Sequence, residues 1–171
     1  MSALHASRKQ FLDALAGLSE KQLMWKPSPD SWSIFEIAEH LARAEDQIPA
    51  LVAKAMQVPA AADRKPPTRA EDEKILKSVA VRDQKFKAPA SLVPAGTYMN
   101  IGDLIAAFKA SRDRNIAYIR DTQDPLRAHV APHPVLGNLD GLQWYLLIAG
   151  HTERHVLQMK EVKEQPGFPK K

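Results

Sequence analysis

The sequence predicts an all-α protein, a four-helix bundle joined by long crossover connections. Three observations carry that prediction. Four segments repeat apolar residues at intervals of three and four, which gives each helix one apolar stripe that must be buried against the others. Proline-rich stretches separate these segments, and strand-like alternation is nearly absent. With 171 residues, 44% of them hydrophobic and 26% charged, the chain has material for one core and the charge of an ordinary globular domain. A single domain is expected over 1–165, followed by a short basic tail at 166–171.

The first helix is expected over about 7–18, where Phe11, Leu12, Leu15 and Leu18 share a face. Ser19 and Glu20 then lead out of it into the turn-rich Pro27-Ser-Pro-Asp30. Ser33-Ile-Phe-Glu36 reads as a capping box, in which the hydroxyl and the carboxylate satisfy orphan amides at a helix start. The second helix begins there. Its stripe is Ile34, Ile37, Leu41, Ala44, Ile48 and Leu51, with Pro49 a local kink and an end before Pro59. Pro59, Pro66, Pro67, Pro89 and Pro94 make 58–99 a long surface connection. Within it Thr68-Arg-Ala-Glu71 is a second capping box, so a short helix is expected over 69–81, held less firmly than the others. Asn100 caps a third helix over 100–120, with Ile101, Leu104, Ile105, Phe108, Ile116 and Ile119. A turn segment over 124–138 leads to the fourth helix, 139–163, which stops before Pro166-Gly167.

Cysteine is absent, which excludes disulfides, thiolate metal sites, iron–sulfur clusters and a cysteine nucleophile. Any metal must sit on His, Asp or Glu. The net charge of +4 is spread out, and its densest run, 64–87, is interleaved with Glu71, Asp72, Glu73 and Asp83. That is a solvated surface rather than a phosphate-binding stripe, and 6% aromatic content leaves little for base stacking, so no nucleic-acid partner is expected. No apolar stretch is long enough for a signal peptide or a membrane span, and a cytoplasmic protein without a membrane partner is the expectation.

Among six histidines, His151 and His155 stand four apart on the fourth helix, so their rings rise from one face at a spacing suited to chelation. They lie at the edge of the arc that carries Trp144, Ile148, Met159 and Val162, and His40 lies beside Ile37, Leu41 and Ala44 on the second helix. All three therefore point toward the bundle. A buried neutral imidazole needs partners for both nitrogens, and a shared metal would supply one to each; a satisfied core cluster is the alternative. His5, near the terminus, and His129, in the proline-rich turn, have weaker claims, with His133 kept as a candidate for the site mouth. His151-Thr-Glu-Arg-His155 is no zincin motif, because Glu153 falls on the far side of the helix. A ferritin-like di-iron site also fails, because the residues three before His40, His151 and His155 are Ile37, Ile148 and Thr152.

Taken together, Trp32-Ser-Ile-Phe-Glu-Ile-Ala-Glu-His40, the stretch from Lys87-Ala-Pro89 to Pro94-Ala-Gly96, Leu136-Gly-Asn-Leu-Asp-Gly-Leu-Gln-Trp144 and His151-Thr-Glu-Arg-His155-Val-Leu-Gln158 resemble the DinB/YfiT-like superfamily over nearly the whole chain. The resemblance implies an up-and-down-type four-helix bundle with a long crossover. It also implies one divalent metal ion on His40, His151 and His155. An all-nitrogen set suits zinc or nickel, with iron, cobalt and manganese as alternatives. Three protein ligands leave a position open, the pattern of a catalytic site, where water or a thiolate on the ion rather than a side chain would be the nucleophile. Gln158, one turn beyond His155, is either the group that orients a ligand or a bound water from behind or an exposed helix amide. Trp32 is expected to pack the helix start, Trp144 and Tyr145 to be core or cleft wall, and Glu153 and Arg154 to be solvated surface.

The activity implied is a metal-dependent thiol S-transferase, or a related hydrolase or isomerase, acting on a small molecule with a low-molecular-weight thiol as partner. A homodimer is compatible with this. The alternative is a non-catalytic metal-binding bundle, a stress-related sensor or carrier. The cleft is expected between the connections 58–99 and 122–138.

Overall fold

A computed structural model describes residues 2–60, 65–84 and 86–170; Arg64 and Lys85 of the basic run and the last tail residue, Lys171, lie outside them. Four long helices form the bundle: α1 (Ser2–Leu15), α3 (Ile34–Met56), α5 (Ile101–Asp121) and α6 (Gly141–Lys163). Two short helices, α2 (Glu20–Met24) and α4 (Arg69–Ala80), and a 3-10 turn at Ala90–Leu92 lie in the connections. α1 borders α5 and α6, and α3 borders the same two, so the order around the bundle is α1–α5–α3–α6. The links from α1 to α3 and from α5 to α6 therefore cross a diagonal, unlike a simple up-and-down bundle in which successive helices are neighbours.

The caps explain where the helices begin. Ser33 accepts from the Glu36 amide while the Glu36 carboxylate accepts from the Ser33 amide, as the sequence predicts, and Thr68 with Glu71 does the same for α4. Asn100 caps α5 through the Asp103 amide. The first helix differs from its expected span. It starts at Ser2, because Leu4 and Ser7 are buried, and it stops at Leu15, because Gly17 turns the chain with a φ of 69°. Ser19 and Gln22 then form another capping box and open α2, where the sequence predicts only an exit into a turn. Leu51, expected in the core, is exposed; Val52 is buried in its place.

One further expectation is corrected. The stretch 124–140 contains an antiparallel hairpin, β1 (Val130–His133) with β2 (Gly137–Asp140), so Leu139 lies in a strand rather than a helix, and Asp140, the last strand residue, caps α6. α4, expected to be held less firmly than the others, buries none of its residues fully, yet its backbone lies close on α6: a Cβ on Gly150 would stand 2.8 Å from the Leu76 carbonyl oxygen. Asp72 of α4 also pairs with Arg127 at 2.6 Å. Of the tail, 166–170 is docked, with Phe168 edge-on to Trp25 at 5.6 Å and the Pro169 carbonyl accepting from Gln22.

The core has two apolar clusters. One is built on Phe11, Ile37, Leu41, Leu104, Phe108 and Met159, the other on Leu4, Ile48, Ile116, Leu139, Tyr145 and Ile148. Between them lies a buried polar layer. Arg112 and Glu45, both fully buried, form an ion pair, and Arg112 also donates to the Leu4 carbonyl at 2.6 Å, Ser7 Oγ at 2.8 Å and Thr152 Oγ1 at 2.9 Å. One guanidinium thus ties together all four long helices. Pro49 sits inside α3 and cannot donate to the Glu45 carbonyl; the Asn115 amide does so instead, at 3.2 Å.

Candidate metal centre

His40 on α3 and His151 and His155 on α6 converge at the level of the polar layer, with ligand atoms all within 4.8 Å of one another. The His151 Nε2 lies 3.1 Å from the His40 Nε2 and 3.1 Å from the His155 Nε2. Hydrogen bonds on the other side of two rings fix their tautomers. His40 Nδ1 donates to the Leu92 carbonyl at 2.8 Å, and His155 Nδ1 donates to Gln158 Oε1 at 2.7 Å. In a neutral ring the proton on Nδ1 leaves a bare lone pair on Nε2. Two lone pairs therefore face the third Nε2.

Burial keeps these rings neutral. It pushes His40 below the usual histidine range, with Arg43 adding to the effect, and it pushes His151 well below, helped by the neighbouring imidazoles. His155 is brought to about 3, first by burial and then by the charge of its neighbours. A proton on His151 Nε2 could satisfy only one of the two facing lone pairs. His151 Nδ1, buried without a partner among the described residues, is unsatisfied with or without a cation, so the facing lone pairs alone favour one. A cation between the rings would satisfy all three Nε2 atoms. Two nitrogens about 2.1 Å from one ion stand about 3.0–3.4 Å apart for angles between square and tetrahedral, so the observed separations fit. These three histidines could hold a metal ion, and none of the other three joins them in a ligand cluster.

The surroundings come mostly from the segment after α4. Arg82 reaches Gln158 Oε1 at 3.4 Å while paired with Glu161 at 2.7 Å, which turns the amide oxygen toward His155. The Trp32 ring lies 5.1 Å from the His40 ring, so it forms a wall of the site as well as packing the helix start.

The connection 58–99 does reach the site, through Arg82 and Leu92. The connection 122–138 does not, because its hairpin lies against the Trp144 end of α6 and the far end of α3, where His133 packs on Trp144 and His129 bonds the Val58 carbonyl. His133 is thus no part of a site mouth; its Nδ1 accepts from the amides of Val135 and Leu136 in the hairpin turn. His5 is exposed on α1. Trp144 and Tyr145 are buried core. Arg154, expected on the solvated surface, is buried: it donates to the carbonyls of Val81 and Gln84 and lies over the Phe86 ring. Glu153 is half-buried.

The sequence profile of the DinB superfamily matches residues 3–159. The chain belongs to the DinB superfamily. It is 32% identical over 165 residues to the uncharacterized protein YuaE of Bacillus subtilis (strain 168), covering 96% of this chain and 98% of that one. Among solved structures it resembles YfiT from Bacillus subtilis, described as a probable metal-dependent hydrolase with an unusual four-helix bundle topology. The TM-score is 0.63 at 16% identity, over 98% of this chain and 86% of YfiT. It also resembles the four-helix bundle protein TT2238, with a TM-score of 0.56 at 19% identity, over 94% of each chain. Identities this low establish the fold. Among the described residues of this DinB-superfamily chain, no helix is long and apolar enough to cross a membrane.

Sequence reasoning does not single out Glu39, Arg43 and Gln47, which hold the loop beside the centre. Their spacing of four along α3 is a readable signal, a polar stripe next to the apolar one.

Proposed function

We propose that this chain binds one divalent metal ion through His40, His151 and His155 and catalyses attack on a small electrophilic molecule, with a low-molecular-weight thiol as the nucleophile. The observation that carries the reading is the convergence of three Nε2 atoms with two tautomers fixed from behind, because it leaves lone pairs that only a cation satisfies together. An all-imidazole set favours zinc or nickel, with iron, cobalt or manganese as alternatives. When bound, the ion supplies Lewis acidity that lowers the pKa of a nucleophile beside it.

The protein's own residues set the conditions for that chemistry. The Leu92 carbonyl and Gln158 keep the Nδ1 protons of His40 and His155 in place, so both rings stay neutral and oriented. Trp32 walls the His40 side, while the half-buried His151 marks the side from which a small molecule enters. With no cysteine in the chain, a sulfur nucleophile must come from a cosubstrate. The description of YfiT as a probable metal-dependent hydrolase supports a metal-dependent reaction and keeps water as the competing nucleophile.

The test is elemental analysis followed by turnover. One ion per chain is expected in the wild type and a sharp loss in His40→Ala; full occupancy in that variant removes the three-ligand centre. Turnover of a model electrophile is then followed with glutathione, bacillithiol, mycothiol and no thiol, on loaded wild type and on His155→Ala. Turnover that needs a thiol and is lost in His155→Ala supports the transferase; turnover without thiol makes it a hydrolase, and none in a fully loaded protein makes it a carrier or sensor.

A further inference from the structure

Three residues on successive turns of α3, Glu39, Arg43 and Gln47, reach sideways to the loop formed by residues 91–97. Glu39 is 1% exposed, and its carboxylate accepts from three consecutive backbone amides: Ala95 at 2.9 Å, Gly96 at 3.1 Å and Thr97 at 3.0 Å. Gly96, with a φ of 68°, supplies the left-handed turn that aims these amides at one point. Arg43 donates to the Ser91 carbonyl at 2.8 and 3.1 Å and to Thr97 Oγ1 at 3.1 Å, and Gln47 exchanges hydrogen bonds with Ser91 at 3.1 and 3.2 Å. The loop is therefore gripped at both ends. Between the two grips lies Leu92, whose carbonyl holds the proton on His40 Nδ1.

We infer that Glu39 and Arg43 are positioning residues for the metal centre: they clamp the loop 91–97 to α3 so that the Leu92 carbonyl holds His40 in its ligating tautomer and orientation. The inference rests on the metal-binding reading above. A ligand ring left to rotate, or free to place its proton on Nε2, must be reordered before it binds, and loss of such a supporting group costs about 10–100-fold in metal affinity. Linkage runs both ways. If the clamped loop favours the bound ion, the ion favours the clamped loop to the same degree. The side chain next to His40 in sequence thus acts on it through a loop more than fifty residues away.

The test uses the full chain loaded with zinc, and in parallel with nickel, in competition with a chromophoric chelator. Glu39→Gln and Arg43→Gln are each expected to weaken binding about 10–100-fold. Ile48→Val, a mild cavity in the core cluster built on Leu4 and Ile48, should leave affinity unchanged and so separates positioning from general loss of stability. Hydrogen exchange gives the second readout: the amides of Ala95, Gly96 and Thr97 should exchange more slowly in loaded wild type than in chelated protein, and Glu39→Gln should abolish that difference. If circular dichroism shows Glu39→Gln unfolded, Arg43→Gln carries the affinity test. Wild-type affinity in the folded variants, an equal loss in Ile48→Val, or loop amides indifferent to the ion overturns the clamp and leaves the metal centre standing. A wild type that takes up neither ion removes the centre itself.

Discussion

Arg112 is the side chain on which the interior converges. Its guanidinium is fully buried, lies over the Phe108 ring, and serves α1, α3 and α6 from α5. A buried ion pair adds little stability relative to apolar packing, but losing one partner strands the other charge in a dry interior. Arg112→Met should therefore destabilise the protein by about 3–5 kcal/mol, measured by urea unfolding. Adding Glu45→Met to it should recover part of the loss, because the stranded carboxylate is then gone. A single variant as stable as wild type would mean that water reaches the pair. Little of this layer is legible in the sequence. Glu45 falls between Ala44 and Ile48 on the apolar side of α3, and Arg112 and Asn115 interrupt the stripe of α5, but periodicity alone does not say which polar interruptions meet. The histidines are more legible, since a four-residue spacing on one face states its own geometry.

At the scale of elements, capping residues and apolar spacing locate the four long helices and α4, because those signals are local. The same signal is present at Ser19-Glu-Lys-Gln22 and opens α2, a helix too short to display a stripe. The hairpin is hidden for another reason: its strands carry Pro132, Gly137 and Asn138, residues that read as turn, so strand propensity does not announce them. How firmly α4 is held is also not local. None of its residues is fully buried, yet its backbone sits against the bare Cα of Gly150. Helix propensity alone makes Gly150→Ala stabilising by about 1 kcal/mol. Contact with the Leu76 carbonyl reverses the sign, because backbone cannot yield as a flexible side chain does, and overpacking costs about 1–3 kcal/mol. The expected result is a lower melting temperature with faster hydrogen exchange in α4 and unchanged protection in α3 and α5. A more stable Gly150→Ala protein would show that α4 moves aside freely.

For the whole molecule, the cluster of His40, His151 and His155 lies beside the buried polar layer, so folding itself brings the three rings together and holds them neutral. That arrangement makes stability depend on pH in a definite direction. His40, His151 and His155 all have folded pKa values below the ordinary 6.5, with His155 at about 3, and burial lowers His133 as well. Between the folded and unfolded values the unfolded chain binds more protons, so metal-free stability falls as pH drops below about 6.5, by at most about 1.4 kcal/mol per pH unit for each histidine. Burial raises the Glu39 carboxyl and the loop amides together outweigh it, so its pKa is lowered; its contribution begins to be lost only as pH falls to about the ordinary carboxylate value of 4.5, and it therefore adds nothing to the change between pH 7.5 and 5.5. Metal bound only by the folded state adds stability, about 2.7 kcal/mol at a hundred times its dissociation constant, and protons compete with it for the same nitrogens. Thermal melts of chelated and zinc-loaded protein at pH 7.5 and 5.5 test both effects. The chelated protein should melt lower at pH 5.5 than at 7.5, the loaded protein should melt higher than the chelated one at pH 7.5, and the gap between them should narrow at pH 5.5. A chelated protein whose melting temperature is flat across this interval would mean that the three rings are not held neutral by burial, and with that the lone pairs that define the centre would be lost.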